Sequence, residues 1–518
     1  MHSGSSTGGA SPAPAEVVVP PMDEHNRELV ENVHPAGWVN PEPSGRYNLV
    51  VVGAGTAGLV STAIAAALGA KVAIIERHLL GGDCLNTGCV PSKAMIRSAR
   101  AIADVRNAGA FGVRVPPGVE ADFGRVMERM RRVRARISHH DSARRFASLG
   151  ADVFIGQAEF VDPHTVRVGE KELQFTKAVI ATGARAATPP IGGIEDVGFL
   201  TSETVFHLTE RPRRLAVIGA GPIGVELAQT FRRLGTDVTL IEKAERILVR
   251  EDEDAARVVQ AAFEREGVRL VLGASVERVE RDGGDRVLHL DVAGRADTIR
   301  ADEILVGVGR APNVDGLNLE AAGVRYEATG IDVDEFLQTS ARHIYAAGDI
   351  CMRHKFTHAA DAAARIVVRN ALVPLPGARQ SALVMPWCTY TDPEVAHVGL
   401  GERDARERGV AIDTYVKPFS EVDRALADGE DDGFVKVHVR KGTGKIVGAT
   451  IVARHAGDMI SEITLAMVAG VGLGKIGDVI HPYPTRAEAI RAVAGLYMKS
   501  RFTPFWQKVF TWWMRRVR

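Results

Sequence analysis

The chain has 518 residues, 46% apolar and 25% charged, a soluble composition that at roughly 150 residues per domain predicts about three domains. Lys+Arg and Asp+Glu both number 64, so no net field draws the protein to nucleic acid. Four cysteines are too few for a secreted disulfide scaffold.

The chain opens with a Ser/Gly/Pro/Ala-rich stretch containing SSTGGASPAPAE. It lacks the basic and apolar regions of a signal peptide, so a cytoplasmic location is expected, with roughly the first 22 residues disordered. Residues 1–45 are read as an N-terminal extension without assigned chemistry. Asn48 to Ala70 is uncharged and long enough to cross a bilayer. Its glycines argue for something else. Leu49–Val52 reads as a buried parallel strand, followed by Gly53, Gly55 and Gly58 in a G-x-G-x-x-G turn, a helix, and a second strand ending at Glu76. Those glycines suit close approach of a pyrophosphate to a helix N-terminus, and the acid suits ribose hydroxyls.

"GGDCLNTGCVPSK" then places Cys84 and Cys89 just ahead of a helix predicted from Pro91 to near Asn107. A helix N-terminus stabilises a thiolate, and the pair can close to a disulfide or open to a dithiol. Half of a metal site or two buried cysteines are the alternatives; a zinc site would need two further ligands, and Cys351 and Cys388 stand apart in sequence. A basic amphipathic stretch follows at Phe123–Phe146, then the strand–turn "KAVIATGARA". The dinucleotide pattern repeats with Gly219, Gly221, Gly224 and Glu242 at the same spacing. Two such units predict two dinucleotides, suiting a flavin and a nicotinamide. "EILVGVGRAPN" and "HIYAAGDI" are further strand–turn segments. From about residue 381 the texture becomes α+β, with a hairpin in "GFVKVHVRKGTGKIVGATIVA".

The tail "RFTPFWQKVFTWWMRRVR" offers Thr503 as N-cap and Pro504 as the first helical residue. Phe502, Phe505, Trp506, Val509, Phe510, Trp513 and Val517 share one face. Six basic and no acidic residues lie from Lys499 onward, with three of the chain's five tryptophans. That composition suits an interfacial membrane helix at residues 501–518, with packing on the protein's own dimer as the alternative.

Taken together and in order, the first glycine motif, G-G-x-C-x4-C-V-P-S-K, A-T-G, the second glycine motif, G-x-G-R-x-P-N, A-x-G-D and "TYTDPEVAHVGL" resemble the class I pyridine nucleotide–disulfide oxidoreductases over about residues 46–497. The resemblance implies an α/β fold with an FAD-binding domain (46–195 and 313–380), an NAD(P)-binding domain (196–312) and a C-terminal α+β dimerisation domain (381–497), with the tail at 498–518. It implies FAD bound by Gly53, Gly55, Gly58 and Glu76, with Thr182, Gly183 and Asp349, and further cofactor-binding positions at Gly82, Gly309, Arg310, His358 and Ala359. Gly219, Gly221, Gly224 and Glu242 would hold the nicotinamide nucleotide. Cys89 would be the thiolate facing the flavin, Cys84 the interchange thiol, and Lys93 would pair with Glu226 beside the flavin. The carboxylate at Glu242 predicts NADH over NADPH, although Lys243, Arg246 and Arg250 lie near.

Thiol-handling members carry an acid–base His–Glu pair in H-P-T-x-x-E that reaches the partner subunit's cysteines, so a homodimer with a shared active site is expected. Here "IHPYPTRAEAIR" aligns by Pro484, Thr485 and Glu488, which puts Tyr483 at the acid–base position and His481 two residues early. A phenol, with its pKa of about 10, is a poor base near neutral pH. The chain therefore resembles the mercuric reductase-like branch, with dihydrolipoyl dehydrogenase as the alternative. It departs from mercuric reductase in having no cysteine after Cys388 and no N-terminal C-x-x-C. The expected activity is transfer of electrons from NAD(P)H through FAD and the cysteine pair to a disulfide, a metal ion or another small oxidant, with no resident metal. A non-catalytic, membrane-associated flavoprotein is the reading from another class. The intact cysteine pair and the Lys93–Glu226 combination weigh against it.

Overall fold

In a computed structural model describing residues 17–518, the first glycine motif lies between two strands of a seven-stranded sheet. Tyr47–Val52 pairs in parallel with Val72–Glu76 on one side and with Lys171–Ile180 on the other. Asp152–Ile155 and Ile344–Ala346 extend the parallel part. The strands are continuous apolar runs because helices cover the sheet, among them Thr56–Ala67 and Thr357–Leu372, which pack together. The uncharged stretch 48–70 is thus strand, turn and helix. Among the described residues no helix is long and apolar enough to cross a membrane.

The second unit repeats this on a four-stranded parallel sheet. Arg214–Ile218 lies between Asp237–Glu242 and Glu303–Val306, with Arg269–Leu272 outermost. A three-stranded antiparallel sheet, residues 274–301, is appended. The chain leaves the first domain along Ala184–Ala186 and returns along Arg310–Pro312, and these two segments pair with each other. Ile194, which the sequence reading gave to the first domain, falls beyond this crossing together with Val197. They are buried with Val279, Leu288 and Ile304 in the core of the second.

The third domain is a five-stranded antiparallel sheet. Its order is Pro386–Thr389, Glu394–Gly399, Ile446–Ala453, Phe434–Arg440, Ile412–Pro418. Helices Ala456–Val468 and Glu488–Arg501 cover one face. Lys436, 1% exposed, ties this domain to the second. Its ammonium lies 2.7 Å from Asp252 and from Asp254 and 3.4 Å from Glu402. With His438, Asp252 and Glu402 form a cluster of metal-ligating types, but Lys436 already supplies the compensating positive charge there.

The expectation of disorder over the first 22 or so residues needs correction at its end. Residues 1–16 lie outside the described part, but Val19 is buried and packs in the first domain's core with Leu29 and Val33. Helix Glu24–Val33 follows, N-capped by Asp23, and docks on helix Phe123–Ser138. The signal missed was the amphipathic spacing of Asn26, Leu29, Val30 and Val33, all buried. The basic stretch 123–146 is two helices rather than one. The first ends at Ser138, and Ala143–Ser148 starts afresh with Ser142 as N-cap.

Candidate active site

The two glycine turns are superposable in their chemistry. A Cβ on Gly58 would lie 1.8 Å from the Gly53 carbonyl oxygen, and one on Gly224 would lie 1.9 Å from that of Gly219. Only glycine lets each helix sit so close to its strand. At Gly221, by contrast, an added Cβ meets nothing, so that glycine keeps space open for a ligand. Glu76 accepts from the N–H groups of Ala54 (2.7 Å) and His78 (2.9 Å). Glu242 accepts from Ala220 (2.7 Å) and Ala244 (2.9 Å). Each carboxylate keeps lone pairs for ribose hydroxyls. Burial pushes the Glu76 carboxyl up, opposed by the two N–H groups.

A single cleft of about 2310 Å³ joins the two turns and passes Cys84, Cys89, Lys93 and Glu226 on the way. A usual single-ligand cavity is roughly 300–1,000 Å³, so this one has room for two dinucleotides. The open glycines, the paired carboxylates and this volume fit FAD at the first turn and a nicotinamide nucleotide at the second.

Cys84 sits in the short helix Gly82–Asn86, and Cys89 is the first residue of helix Cys89–Asn107. The Cys89 sulfur lies 3.4 Å from Thr357 Oγ1. Chiefly through the neighbouring Cys84 thiol, and helped by Thr357 and the Lys93 charge, Cys89 is lowered to about 6. Cys84 moves the opposite way, its proton held against Cys89. The pair therefore shares one proton, with the thiolate on Cys89.

Lys93, one helical turn beyond Cys89, places its Nζ 2.7 Å from Glu226 Oε2. Glu226, 7% exposed, accepts at its other oxygen from the Tyr390 N–H at 2.8 Å. The Lys93 ammonium also lies 4.6 Å above the Tyr390 ring. Burial alone would pull the Lys93 pKa down, but Glu226 and Cys89 outweigh it and the net shift is upward. Tyr390, Thr357 and Cys388 escaped the sequence reading of the site. Cys388 lines the same cleft, its thiol pushed well above the usual value, first by burial and then by Glu394 and Glu226. Nothing in its local pattern, "MPWCTY", separates it from an ordinary core cysteine.

The remaining residues of the first nucleotide site converge on the domain crossing. Thr182 Oγ1 donates to the Asn313 carbonyl at 2.8 Å, and Asn313 Nδ2 returns a bond to the Thr182 carbonyl at 2.9 Å. Gly183 and Gly309 flank this staple. Arg310 pairs with Asp83, beside Cys84, and its Nε lies 3.3 Å from Asp349 Oδ2. Burial raises the Asp349 carboxyl, opposed by Arg310 and Lys355. His358 bonds the Pro386 carbonyl at 2.7 Å through Nε2 and stacks on Phe356, while Ala359 is fully buried. Gly82 faces Gly55 across the cleft floor.

Tyr483, Glu488 and His481 do not line the cleft of their own chain. Tyr483 is 71% exposed and donates its hydroxyl to Asp423 at 2.9 Å, which raises its pKa. Glu488 starts the helix Glu488–Arg501, with the Thr485 N–H 3.4 Å from its Oε2. His481 turns inward, with its Nε2 3.1 Å from Glu462 and its side chain only 6% exposed. Around Tyr483, Leu465, Val468 and Ile480 stand exposed on the third domain.

Residues 47–364 match the family model described as pyridine nucleotide-disulphide oxidoreductase, and residues 385–494 match that family's dimerisation domain. A mercuric reductase of Staphylococcus aureus is 35% identical over 94% of this chain and 91% of its own length. A dihydrolipoyl dehydrogenase of Bacillus subtilis is 34% identical over 86% of this chain and 97% of its own. Among solved structures, the HOCl-induced flavoprotein disulfide reductase RclA of Escherichia coli is 30% identical and superposes with a TM-score of 0.78. That match covers 87% of this chain and all of RclA, which is also known as a Cu(II) complex.

Proposed function

The chain belongs to the pyridine nucleotide–disulphide oxidoreductase family, and on that premise we propose that it delivers electrons to a metal ion or another small oxidant rather than to a dithiol-forming substrate such as lipoamide. It is a homodimeric flavin disulfide oxidoreductase that uses FAD and a nicotinamide nucleotide. The observation that carries the proposal is the state of the two acid–base candidates. A disulfide acceptor needs a base to take the proton from Cys84, since a thiolate is the attacking species. Tyr483 donates a hydrogen bond to Asp423 and resists ionisation, and His481 is buried against Glu462. A phenol that keeps its proton is a poor base near neutral pH, and the imidazole is turned away from the surface where a partner's thiol would meet it. A metal ion displaces the Cys84 proton by binding the sulfur, and so has less need of one.

In this reading FAD would supply the two-electron link between the nicotinamide and the cysteine pair. The chain's own residues do the rest. Cys89 holds the thiolate, stabilised by Lys93 and Thr357. Cys84 meets the oxidant, with the partner subunit contributing an exposed Tyr483. For a disulfide acceptor the same pair would work by exchange. Cys84 attacks one substrate sulfur and expels the other as a thiol; Cys89 then attacks Cys84, closing Cys84–Cys89 and releasing the second thiol. The discriminating measurement is turnover of Hg(II), Cu(II), lipoamide, glutathione disulfide and quinones by wild type, Tyr483→Phe and His481→Ala. The metal ions are expected to exceed lipoamide, with His481→Ala unchanged. Loss of robust lipoamide turnover in His481→Ala alone would restore the histidine and a thiol substrate.

NADH is the proposed reductant. Glu242 sits where a ribose 2′-phosphate would be repelled. Of the three cations near it in sequence, Arg246 is committed to the carbonyls of Ile247, Leu248, Val249 and Glu251, which leaves Lys243 and Arg250. A kcat/KM for NADPH above that for NADH would refute this. Dependence on a nicotinamide pool supports a cytoplasmic location.

The tail helix Pro504–Arg516 supports peripheral contact with an anionic membrane. None of its residues is buried, and Phe502, Phe505, Trp506 and Phe510 pack on one another. Arg516 lies over Trp512. Exposed aromatics beside cations suit a lipid headgroup layer. The full chain is expected to float with anionic vesicles at low salt. Trp506→Ser/Trp513→Ser should reduce the bound fraction about tenfold or more without altering turnover. Equal flotation of the two proteins would remove the membrane and leave the dimer as the tail's partner.

A further inference from the structure

Residues 17–41 precede the region that matches the family, which begins at residue 47, yet they grip the cysteine turn at both ends. At the first end the Leu80 N–H donates to the Val33 carbonyl at 3.1 Å. At the second the contact runs through a buried guanidinium. Arg134 Nη1 donates to the Asn86 carbonyl at 2.6 Å, and Nη2 donates to Asn26 Oδ1 at 2.7 Å. Asn86 closes the turn by donating its side-chain amide to the carbonyls of Leu80 and Gly82, at 3.1 and 2.9 Å. Cys84 lies between these anchors.

Asn26 is itself immobilised. It is fully buried, its backbone N–H donates to Asp23 Oδ1, and its Nδ2 donates to the Val19 and Pro21 carbonyls at 3.0 and 2.7 Å. Asp23 Oδ2 in turn accepts from Arg131. Val18 and Val19 line the same cleft as Arg134 and Asn86. A guanidinium 1% exposed that bonds two neutral oxygens carries a large desolvation cost. Its fork geometry is what a bridge between two fixed acceptors requires, and lysine cannot supply it.

We infer that the N-terminal segment is a strap that positions Cys84 against Cys89, with Asn26 and Arg134 as its positioning residues. The inference rests on the reading of Cys84–Cys89 as the redox pair. Cys84 lies in the short helix Gly82–Asn86, so its position beside Cys89 depends on where that turn sits. Loosening the strap lets the turn drift and removes the neighbouring thiol that favours the Cys89 thiolate. Of the other charged groups facing the pair, Lys93 and Glu226 lie on helices Cys89–Asn107 and Pro222–Arg233, while Asp141 follows Ser138, whose hydroxyl accepts from Asn32 of the strap at 2.9 Å.

The test is the rate of Cys89 alkylation by iodoacetamide in the reduced full chain as a function of pH, read from the peptide mass. Asn26→Leu, which keeps the volume and removes the acceptor, is expected to move the midpoint up by about one unit, a tenfold loss of rate on the acid side. Arg134→Lys should give the same shift, and it serves if Asn26→Leu does not fold. Asn40→Leu is the control. It cuts the same segment's anchor on Ile155, where Asn40 bonds the backbone at 2.8 and 2.9 Å away from the cysteines, and should leave the midpoint in place. A lowered wild-type midpoint with no shift in Asn26→Leu or Arg134→Lys overturns the strap alone, as does an equal shift in Asn40→Leu. A wild-type midpoint at the ordinary thiol value of about 8.5 overturns the redox-pair reading, and the strap with it.

Discussion

Cys89→Ser should abolish the long-wavelength thiolate–flavin absorbance seen on anaerobic reduction with NADH and lower turnover of any oxidant by about 10³-fold or more. Serine keeps the volume but not the charge, because a hydroxyl does not ionise where this thiol does. Cys89 is lowered to about 6, chiefly by the neighbouring Cys84 thiol. The sign of the pH dependence follows. The thiolate forms as pH rises through about 6 and is lost below it, so an acid limb near that value is expected in the wild-type profile. Cys84→Ala separates the two sulfurs. Turnover should fall as far, because no thiol is left to meet the oxidant, yet the thiolate absorbance should persist. Its midpoint should move up toward the ordinary thiol value, since the neighbouring thiol that stabilised it is gone. If Cys89→Ser retains the absorbance, the thiolate resides on the other sulfur and the two roles exchange.

Lys93→Met should lower turnover by about 10²–10³-fold, the usual cost of removing one preorganised charge from a reacting site. Two effects combine. The cation that favours the Cys89 thiolate disappears, so its midpoint rises. Glu226 is then left buried with the Tyr390 N–H as its remaining partner in the pair's environment. Such a stranded charge destabilises the fold as well. The double variant Lys93→Met/Glu226→Gln tells the effects apart. Neutralising Glu226 should recover the denaturation midpoint but not the rate. Recovery of both would reduce Lys93 to a structural counter-ion. Turnover unchanged in Lys93→Met would remove it from the chemistry altogether.

Features that depend on a few neighbouring residues were legible in the sequence. Gly58 and Gly224 are demanded by a carbonyl five residues earlier, so their spacing alone announces them. The strands at 47–52 and 214–218 carry unbroken apolar runs because both faces are covered, and the hairpin of Phe434–Arg440 with Ile446–Ala453 declares itself through its glycine turn. Thr503 and Pro504 mark the start of the tail helix in the same local way. The cysteine pair, its helix and the Lys93 that follows one turn later were readable for that reason too.

What escaped the sequence depends on distant partners. The Lys93–Glu226 pair, 133 positions apart, was expected only through the family resemblance, and the Tyr390 that completes it comes unannounced from the third domain. Ile194 looks like the continuation of the first domain, and only the crossing at Ala184–Ala186 and Arg310–Pro312 assigns it to the next, with Val197. Asn26 reads as an ordinary polar residue in a low-value extension until Arg134 is brought against it from 108 positions away. Tyr483 and His481 differ in sequence only by register; the fold decides that one faces out and the other is sealed against Glu462.

The sequence by itself determined the family's chemistry, two dinucleotide turns and a dithiol at a helix start, because each is a short-range steric or electrostatic demand that a handful of adjacent residues must satisfy. The tertiary structure alone decided which groups surround the two sulfurs, what fixes those groups, and which acid–base candidate remains accessible. A pKa, a buried pair and an exposed hydroxyl are properties of surroundings assembled from remote segments, and no local pattern encodes them.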